Sequence, residues 1–247
     1  MPSSVAQVPK NFRALLIGAS EAGKLSWIAS LIKNKATVFP KPGYAKFIYC
    51  SPNLGESTLS SARDLEYQRS LTEWAQPAGI VFLNHVITEE ELAEEMAVTD
   101  GRILLVIDHF SAEVFSTNLV YQLFTRLSSH ADVLTCISLH QGVTSKSPGK
   151  WHGLVFNNSN FFVIFRNLGN EASIGEISKK MFPYGKNFLY RCLQEATNIC
   201  GNYAYVFVDA NLNNPLNNKF GVRTNLFEEN GLPMLMMKSP TVYHGTH

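Results

Sequence analysis

The sequence predicts one α/β domain in which a mostly parallel central sheet is flanked by helices on both faces. Short apolar runs alternate along the chain with segments whose apolar residues recur at helical spacing. Strands and helices that alternate in this way build parallel sheets covered by helices. The composition agrees, because 45% of the 247 residues are hydrophobic and 17% are charged, as in globular proteins with a packed core. We expect an N-terminal arm at 1–11, the domain at 12–227 and a C-terminal tail at 228–247.

Charge and cysteine content restrict the class of protein. The net charge of +1 gives no global reason to bind nucleic acid, so such binding would need a local basic patch or a ring of subunits. No C-x-x-C pair is present, which predicts reduced core thiols at Cys50, Cys136, Cys192 and Cys200. The start of the chain lacks the apolar core of a secretory signal, and no apolar run is long enough to span a bilayer. We therefore expect an intracellular protein that is not secreted and has no membrane partner.

The first predicted strand leads directly into a glycine-bounded turn and a helix. Phe12–Ile17 is an apolar run of the kind that is buried in a parallel sheet. The next residues, Gly18–Lys24, read Gly-Ala-Ser-Glu-Ala-Gly-Lys, and apolar residues then recur at helical spacing at Leu25, Ile28, Leu31 and Ile32. This order of strand, turn and helix matches the phosphate-binding loop G-x-x-x-x-G-K-[ST] in all but its last position.

The loop predicts a set of nucleotide-binding residues: Gly18, Ala19, Ser20, Glu21, Ala22, Gly23, Lys24, Leu25 and Ser26. In such loops backbone N–H groups surround the anion, the lysine reaches the β- and γ-phosphates, and the next hydroxyl binds Mg²⁺. Here Leu25 stands where the hydroxyl belongs, and Ser26 projects from a different side of the helix. The alternative is a chance Gly-x₄-Gly-Lys that binds no ligand.

The segment after this helix predicts two strands and two helices. Residues 34–43, which include Pro40, Pro42 and Gly43, are predicted to form a turn. The next elements are a strand at Tyr44–Cys50, a helix at Leu59–Trp74 and a strand at Gly79–Leu83. Thr88 and Glu91 then form a capping box that begins a helix, and the acidic run Glu89–Glu95 predicts a solvated helix face.

The strand predicted at Arg102–Ile107 ends in Asp108, which His109 follows. Nucleotide hydrolases carry such an Asp-ended apolar strand after their phosphate loop, where the Asp holds Mg²⁺ and the next acid orients the attacking water. We predict Asp108 as the metal-binding and catalytic carboxylate and His109 as the residue in the second position. Histidine can accept a proton, but it does not provide a carboxylate's charge beside the metal. The alternative is a strand that simply ends in Asp at a turn.

The second half of the chain continues the alternation. Predicted helices and strands lie at Ser116–Leu127, Val133–Leu139, Phe161–Phe165, Ala172–Phe182, Asn187–Ala196 and Tyr203–Val208, with an edge strand at Val222–Phe227 and a loosely ordered end from Met234. Gln141 comes after one of these strands and Arg166 after another. A glutamine at the end of the strand beside the phosphate loop can sense the γ-phosphate or position water, although an ordinary strand-end glutamine is the alternative.

Four of the residues singled out, Gly18, Asp108, Gln141 and Arg166, each come after a predicted strand. In open α/β sheets the ligand binds outside the carboxyl ends of the strands. The four positions therefore predict a single nucleotide site at one edge of the sheet.

The order of these motifs resembles the FtsK/HerA-type P-loop ATPases. Within that family it is most similar to the DNA-packaging ATPases of poxvirus-like viruses and of the Polinton/Maverick and adintovirus elements. The stretches that carry the resemblance are Leu16–Lys24, Ile103–Asp108, Ile137–Gln141, Asn158–Phe165, Tyr205–Asp209 and Val222–Thr224. Together they span most of the predicted domain.

The resemblance implies a RecA/FtsK-like P-loop NTPase core that binds ATP and Mg²⁺. It also implies a homo-oligomeric ring that moves double-stranded DNA, with a viral capsid or portal-like protein as partner and the nucleus or a virus assembly site as its location. By position, Lys24 would bind phosphate, Asp108 would serve Mg²⁺, Gln141 would sense the γ-phosphate and Arg166 would act on a neighbouring subunit's nucleotide. Leu25 and His109 depart from the family pattern, so the Walker A and B motifs are degenerate on the side of metal and water.

The sequence leaves three functions open. The first is an ATP-binding protein of the DNA-packaging ATPase type, with weakened or absent hydrolysis. The second is a catalytically inactive structural or adaptor protein that keeps the ATPase fold. The third is a small-molecule kinase, which is disfavoured because no arginine-rich lid comes after the middle strands.

Overall fold

The computed structural model describes twelve segments of the chain: residues 12–19, 21–39, 43–52, 62–108, 118–127, 134–140, 155–166, 171–182, 187–201, 204–210, 221–224 and 234–237. The strands in these segments are β1 (Arg13–Ile17), β2 (Tyr44–Cys50), β3 (Ile80–Leu83), β4 (Arg102–Ile107), β5 (Leu134–His140), β6 (Phe161–Phe165), β7 (Tyr205–Asp209), β8 (Gly221–Thr224) and β9 (Met234–Met237). The helices are α1 (Lys24–Lys33), α2 (Lys35–Val38), α3 (Ala62–Ala75), α4 (Glu89–Val98), α5 (Asn118–Gln122), α6 (Glu171–Met181) and α7 (Phe188–Cys200).

The described strands form one mixed sheet in the order β3-β2-β4-β5-β1-β6-β7-β8-β9. The six strands from β3 to β6 are parallel, and β7, β8 and β9 continue the sheet with antiparallel pairings. Strand β5 lies between β1 and β4, pairing Ile17 with His140 on one side and Ile107 with Ser138 on the other. The carboxyl ends of these three strands therefore meet at the same edge. The predicted α/β class is confirmed.

Strand β1 is buried because its side chains enter two apolar clusters in alternation. Leu15 and Ile17 belong to a cluster that includes residues of α6 and α7. Ala14 and Leu16 belong to a second cluster with residues of α1 and α3. Side chains alternate across a strand, so an unbroken apolar run supplies both clusters at once. Strand β4 is also buried along its whole length, and its apolar residues Ile103–Ile107 alternate between the same two clusters.

The predicted capping box at the start of α4 is confirmed. The Thr88 hydroxyl accepts from the Glu91 N–H at 3.1 Å, and the Glu91 carboxylate accepts from the Thr88 N–H at 2.8 Å. Glu91 also contacts the ring of His85 at 2.9 Å. The acidic face is not entirely solvated, because Glu95 forms an ion pair with Lys46 of β2.

Three elements differ from the sequence prediction. The segment predicted as a turn contains α2, which comes after Asn34 at the end of α1 and brings Val38 and Phe39 into the apolar core. The helix expected at Ser116–Leu127 becomes α5 followed by a π-helical turn at Leu123–Leu127.

The third difference lies near the end of the chain. Strand β8 is not an edge strand, because β9 pairs with it in antiparallel fashion where a loosely ordered end was expected. An open strand edge offers unpaired backbone groups, and a short apolar segment from later in the chain satisfies them here. The division of the chain at 227 stays a prediction, although the sheet itself continues beyond it.

Among the described residues, two of the predicted core thiols, Cys50 and Cys192, are confirmed as buried and outside any disulfide, while Cys200 is half-buried. Burial raises the pKa of Cys50 to about 12 and has the same effect on the pKa of Cys192. Both thiols are thus protonated and unreactive at neutral pH. In the segments that the structure describes, we find no helix with both the length and the apolar character needed to span a bilayer.

Candidate functional site

The loop from β1 to α1 gives the helix an N-terminus that can accept an anion. Gly23 precedes the helix with φ 99°, a left-handed conformation that glycine adopts without the steric cost of a Cβ atom. No described side chain caps this end, although the Trp27 N–H reaches the Gly23 carbonyl at 2.9 Å. The first N–H groups of a helix lack partners within the helix, and the dipole favours negative charge there.

Gly18 begins the loop at a point where the backbone passes very close to β6. A Cβ atom at this position would lie 2.7 Å from Cβ of Phe165 and 3.2 Å from Cβ of Ala22. Unlinked carbon atoms pack best at about 3.5–4.0 Å, so a side chain cannot be added without displacing the loop or the strand. The glycine is therefore required by the packing between the loop and β6.

Lys24 is buried at the start of α1, with only 3% of the residue exposed. Its amino group donates to the carbonyl oxygens of Gly18 and Ala19, both at 2.6 Å. Burial lowers the pKa of Lys24, while the charge of Asp108 acts in the opposite direction. A lysine is rarely this buried unless it is paired, and here the loop's own carbonyls receive it.

Asp108 comes directly after β4 and is also buried, with 4% exposed. Its N–H donates to the carbonyl of Cys50 at 2.8 Å. Its Oδ2 atom accepts a hydrogen bond from the hydroxyl of Tyr49 at 2.6 Å. Burial raises the pKa of Tyr49 well above its ordinary value, and the negative charge of Asp108 adds to that shift. A buried cation at the start of the helix that follows β1 and a buried carboxylate directly after β4 thus lie at the same edge of the sheet, beyond the two strands that flank β5.

The position of the missing metal-binding hydroxyl is exposed. Leu25 has 36% of its surface exposed, and Ser26 is exposed as well. The hydroxyl of Tyr67, from α3, donates to the main-chain carbonyl of Leu25 at 2.7 Å. Burial raises the pKa of Tyr67, with a further contribution from Asp108. The exposed Leu25 side chain and the Tyr67 hydroxyl therefore lie on this side of the loop.

The structure brings some of the predicted residues together. Gly18, Ala19, Gly23 and Lys24 share the loop, and Asp108 lies close enough for its charge to act on the lysine. Arg166 is exposed directly after Phe165, the residue that packs on Gly18. Ser20, His109 and Gln141 lie outside the described residues, and their roles stay predictions.

Sequence reasoning missed Tyr49 and Tyr67. Tyr49 pairs with Val106 in the parallel register of β2 and β4, so its hydroxyl can reach the residue just beyond the end of β4. A polar aromatic residue near the end of a strand beside the Asp-ended strand is a signal that could have indicated it. For Tyr67 there is no such signal, because its contact with Leu25 depends on how α3 packs against α1.

Comparison with known proteins supports the fold. No protein-family model matches the chain. No curated protein sequence matches it either. Among solved structures, the chain is similar to the genome packaging NTPase B204 from Sulfolobus turreted icosahedral virus 2, determined in complex with ATP-gammaS. The TM-score is 0.50 at 16% identity, over 82% of this chain and 94% of B204.

Two further structures have lower scores. EssC, ATPases 2 and 3, from Geobacillus thermodenitrificans has a TM-score of 0.44 at 12% identity, over 68% of this chain and 34% of EssC. The cytoplasmic domain of the Type VII secretion ATPase EccC from Thermomonospora curvata has a TM-score of 0.37 at 16% identity, over 62% of this chain and 19% of EccC. The likeness to B204 shows that the two chains share an α/β fold.

Proposed function

We propose that the protein binds ATP with Mg²⁺ at the carboxyl edge of its sheet, as a P-loop ATPase of the viral or virus-derived DNA-packaging type. The observation that carries the proposal is the buried Lys24 at the start of α1, opposite the buried Asp108 on the other side of β5. A fold does not need two buried charges here, and burying them is costly unless they serve a ligand or each other.

The phosphate side of the site fits a nucleotide. The start of α1 presents N–H groups that no described side chain caps. Gly18 lets the loop pass close to β6, and Gly23 gives the left-handed turn that begins the helix. The Lys24 amino group donates to two loop carbonyls, and it exchanges these acceptors for phosphate oxygens when nucleotide binds. Each contact with a neutral carbonyl is thereby replaced by an ion pair with a phosphate oxygen.

The metal side fits Mg²⁺ less completely. The Asp108 carboxylate offers the oxygen donors that Mg²⁺ prefers, and Mg²⁺ is typically held by one or two carboxylates together with substrate phosphates. Leu25 supplies no hydroxyl. When bound, the metal neutralises charge on the phosphates and polarises them. We therefore propose tight nucleotide binding together with weakened hydrolysis.

The wider assignment rests on the fold and the sequence resemblance. B204, named as a genome packaging NTPase, was solved with an ATP analogue, and its likeness covers most of both chains. We extend the proposal to a RecA/FtsK-like core with helices on both faces, supported by the two apolar clusters that meet in β1. It includes a homo-oligomeric ring on double-stranded DNA and a capsid or portal-like partner. In this ring Arg166 would reach the nucleotide of a neighbouring subunit, and His109 and Gln141 would serve hydrolysis. The proposed location is the nucleus or a virus assembly site.

A second candidate function is a structural or adaptor protein that keeps the ATPase fold without turnover. The exposed Leu25 at the hydroxyl position favours it, because the change removes a metal ligand and leaves an apolar side chain on the surface. The first candidate requires nucleotide binding and allows slow hydrolysis of ATP. The second candidate requires that ATP is not hydrolysed.

Titration calorimetry with ATP and Mg²⁺ tests the leading proposal. We expect the wild type to bind and Lys24→Ala to lose at least about tenfold in affinity, since hydrogen bonds to charged groups contribute about 1.5–3 kcal/mol. Lys33→Ala, a substitution of the exposed lysine at the other end of α1, is the matched control and should bind as the wild type does. No detectable binding by the wild type would refute the proposal. Robust release of phosphate by the wild type would exclude the adaptor function.

A further inference from the structure

We propose that Tyr49 is a positioning residue that orients the Asp108 carboxylate toward the metal of a bound nucleotide. The inference rests on the proposed function. It assigns a role to a side chain of β2 that belongs to neither the phosphate loop nor the Asp-ended strand. It also assigns a role at the metal side to a hydroxyl group, that of Tyr49, in a chain whose phosphate loop has Leu25 in place of the usual metal-binding Ser or Thr.

The contact between the two residues is short and buried. Tyr49 has 3% of its surface exposed and Asp108 has 4%. The hydroxyl donates to Oδ2 at 2.6 Å. This distance falls in the range of a charge-assisted O–H···O⁻ bond, which is roughly twice as strong as a neutral hydrogen bond. Such a bond selects one orientation of the carboxylate.

The main chain fixes the other end of Asp108. Strands β2 and β4 are parallel neighbours, and Cys50 pairs with Ile107 at their carboxyl ends. The Asp108 N–H then donates to the Cys50 carbonyl at 2.8 Å. Adjacent residues of one strand, Tyr49 and Cys50, therefore hold the side chain and the backbone of Asp108 respectively. This arrangement leaves the carboxylate little freedom to rotate.

Packing in turn holds the tyrosine. Its ring belongs to the apolar cluster that contains the side chains of α1, and it lies 6.0 Å from the ring of Phe82, at an interplanar angle of 60°. A functional group is positioned well when packing locks the rotamer of the residue that supports it. The hydroxyl of Tyr49 is thus presented to Asp108 from a rigid part of the sheet.

A purely structural role is the competing explanation. A buried tyrosine hydroxyl needs a hydrogen-bond partner, and Asp108 could serve only as that partner. The two explanations differ in what they predict for metal binding. A structural partner affects stability alone, whereas a group that orients a metal ligand changes metal affinity, by about 10–100-fold in known sites.

The test compares full-length wild type with Tyr49→Phe, which removes the hydroxyl and keeps the ring. ATP affinity is measured by calorimetry with Mg²⁺ and again with EDTA, and the ratio of the two affinities is the metal-dependent gain. We expect Tyr49→Phe to reduce this gain by about tenfold and to leave the metal-free affinity unchanged. Tyr44→Phe is the matched control, because Tyr44 is buried in the same strand and cluster but at the end away from Asp108.

A second variant keeps the inference testable if Tyr49→Phe does not fold. Asp108→Asn must lose the metal-dependent gain as well. Where Tyr49→Phe does fold, it must cause no further loss in the Asp108→Asn background. An unchanged gain in Asp108→Asn overturns the inference on its own. An equal gain in wild type and folded Tyr49→Phe overturns it while the proposed function stands. The absence of any gain in the wild type overturns both.

Discussion

Replacing Gly18 by alanine tests the packing between the phosphate loop and β6. The new Cβ would lie 2.7 Å from Cβ of Phe165, about 1 Å closer than an unstrained carbon contact. The opposing atom is a Cβ fixed to the backbone, so no change of rotamer can relieve the clash. Overpacking of this kind costs about 1–3 kcal/mol. We therefore expect Gly18→Ala to lower the free energy of unfolding by about 2 kcal/mol.

Urea denaturation in the absence of nucleotide measures this cost separately from any effect on binding. For a loss of about 2 kcal/mol the midpoint should fall by roughly 1 M. The matched control is Gly175→Ala in α6, where an added Cβ meets no atom within 4 Å. Alanine in the interior of a helix is favoured over glycine by about 0.5–1 kcal/mol, so this variant should gain stability. The same chemical change is thus expected to have opposite signs at the two positions. A Gly18→Ala variant as stable as the wild type would refute the packing argument.

Two further predictions concern catalysis and pH. Leu25→Thr combined with His109→Glu should raise phosphate release at saturating ATP by at least about tenfold, because it restores a metal ligand and a carboxylate beside the water. The backbone N–H of Thr88, and then His85, lower the pKa of Glu91. Its contribution to stability is therefore present above its ordinary pKa of 4.5 and is lost as the pH falls below that value. The difference in unfolding free energy between wild type and Glu91→Gln should shrink over that acidic range.

Each of these has a control. Leu25→Thr without the second change should show a smaller gain in turnover, and a double variant no faster than the wild type would contradict the account of the degenerate motifs. For the pH series, Glu90→Gln is the control, because Glu90 lies in the same first turn of α4 but takes no part in the capping box. A constant difference for Glu91→Gln across the range would argue against a role for its ionised form.

Local patterns in the sequence sufficed for the elements whose environment is fixed by neighbours in the chain. The apolar runs that follow Arg13 in β1 and Arg102 in β4 are buried, because neither run contains a polar side chain that would need solvent. The capping box at Thr88 needed only a residue three positions away. Lys24 begins α1 as predicted, since the helical spacing starts directly after Gly23.

Contacts between distant segments were not accessible in this way. The Tyr49 hydroxyl meets Asp108 only because β2 and β4 pair in one particular register, and a shift of one residue would turn the tyrosine to the other face. Strand β9 depends on an open edge at β8, which no local pattern reveals. The exposure of Leu25 also depends on packing, since it shares its helical spacing with the buried residues Ile28, Leu31 and Ile32.

The close approach of Gly18 to Phe165 bears on how the motif should be judged in related chains. A descendant that no longer bound nucleotide would still need glycine at this position, because its packing against β6 does not depend on a ligand. Packing does not require Lys24 in the same way, since a buried amino group costs free energy that an apolar residue at this position would avoid. In a related sequence, the first glycine of the loop therefore indicates that the packing against β6 is kept, and the lysine indicates that a ligand is still bound.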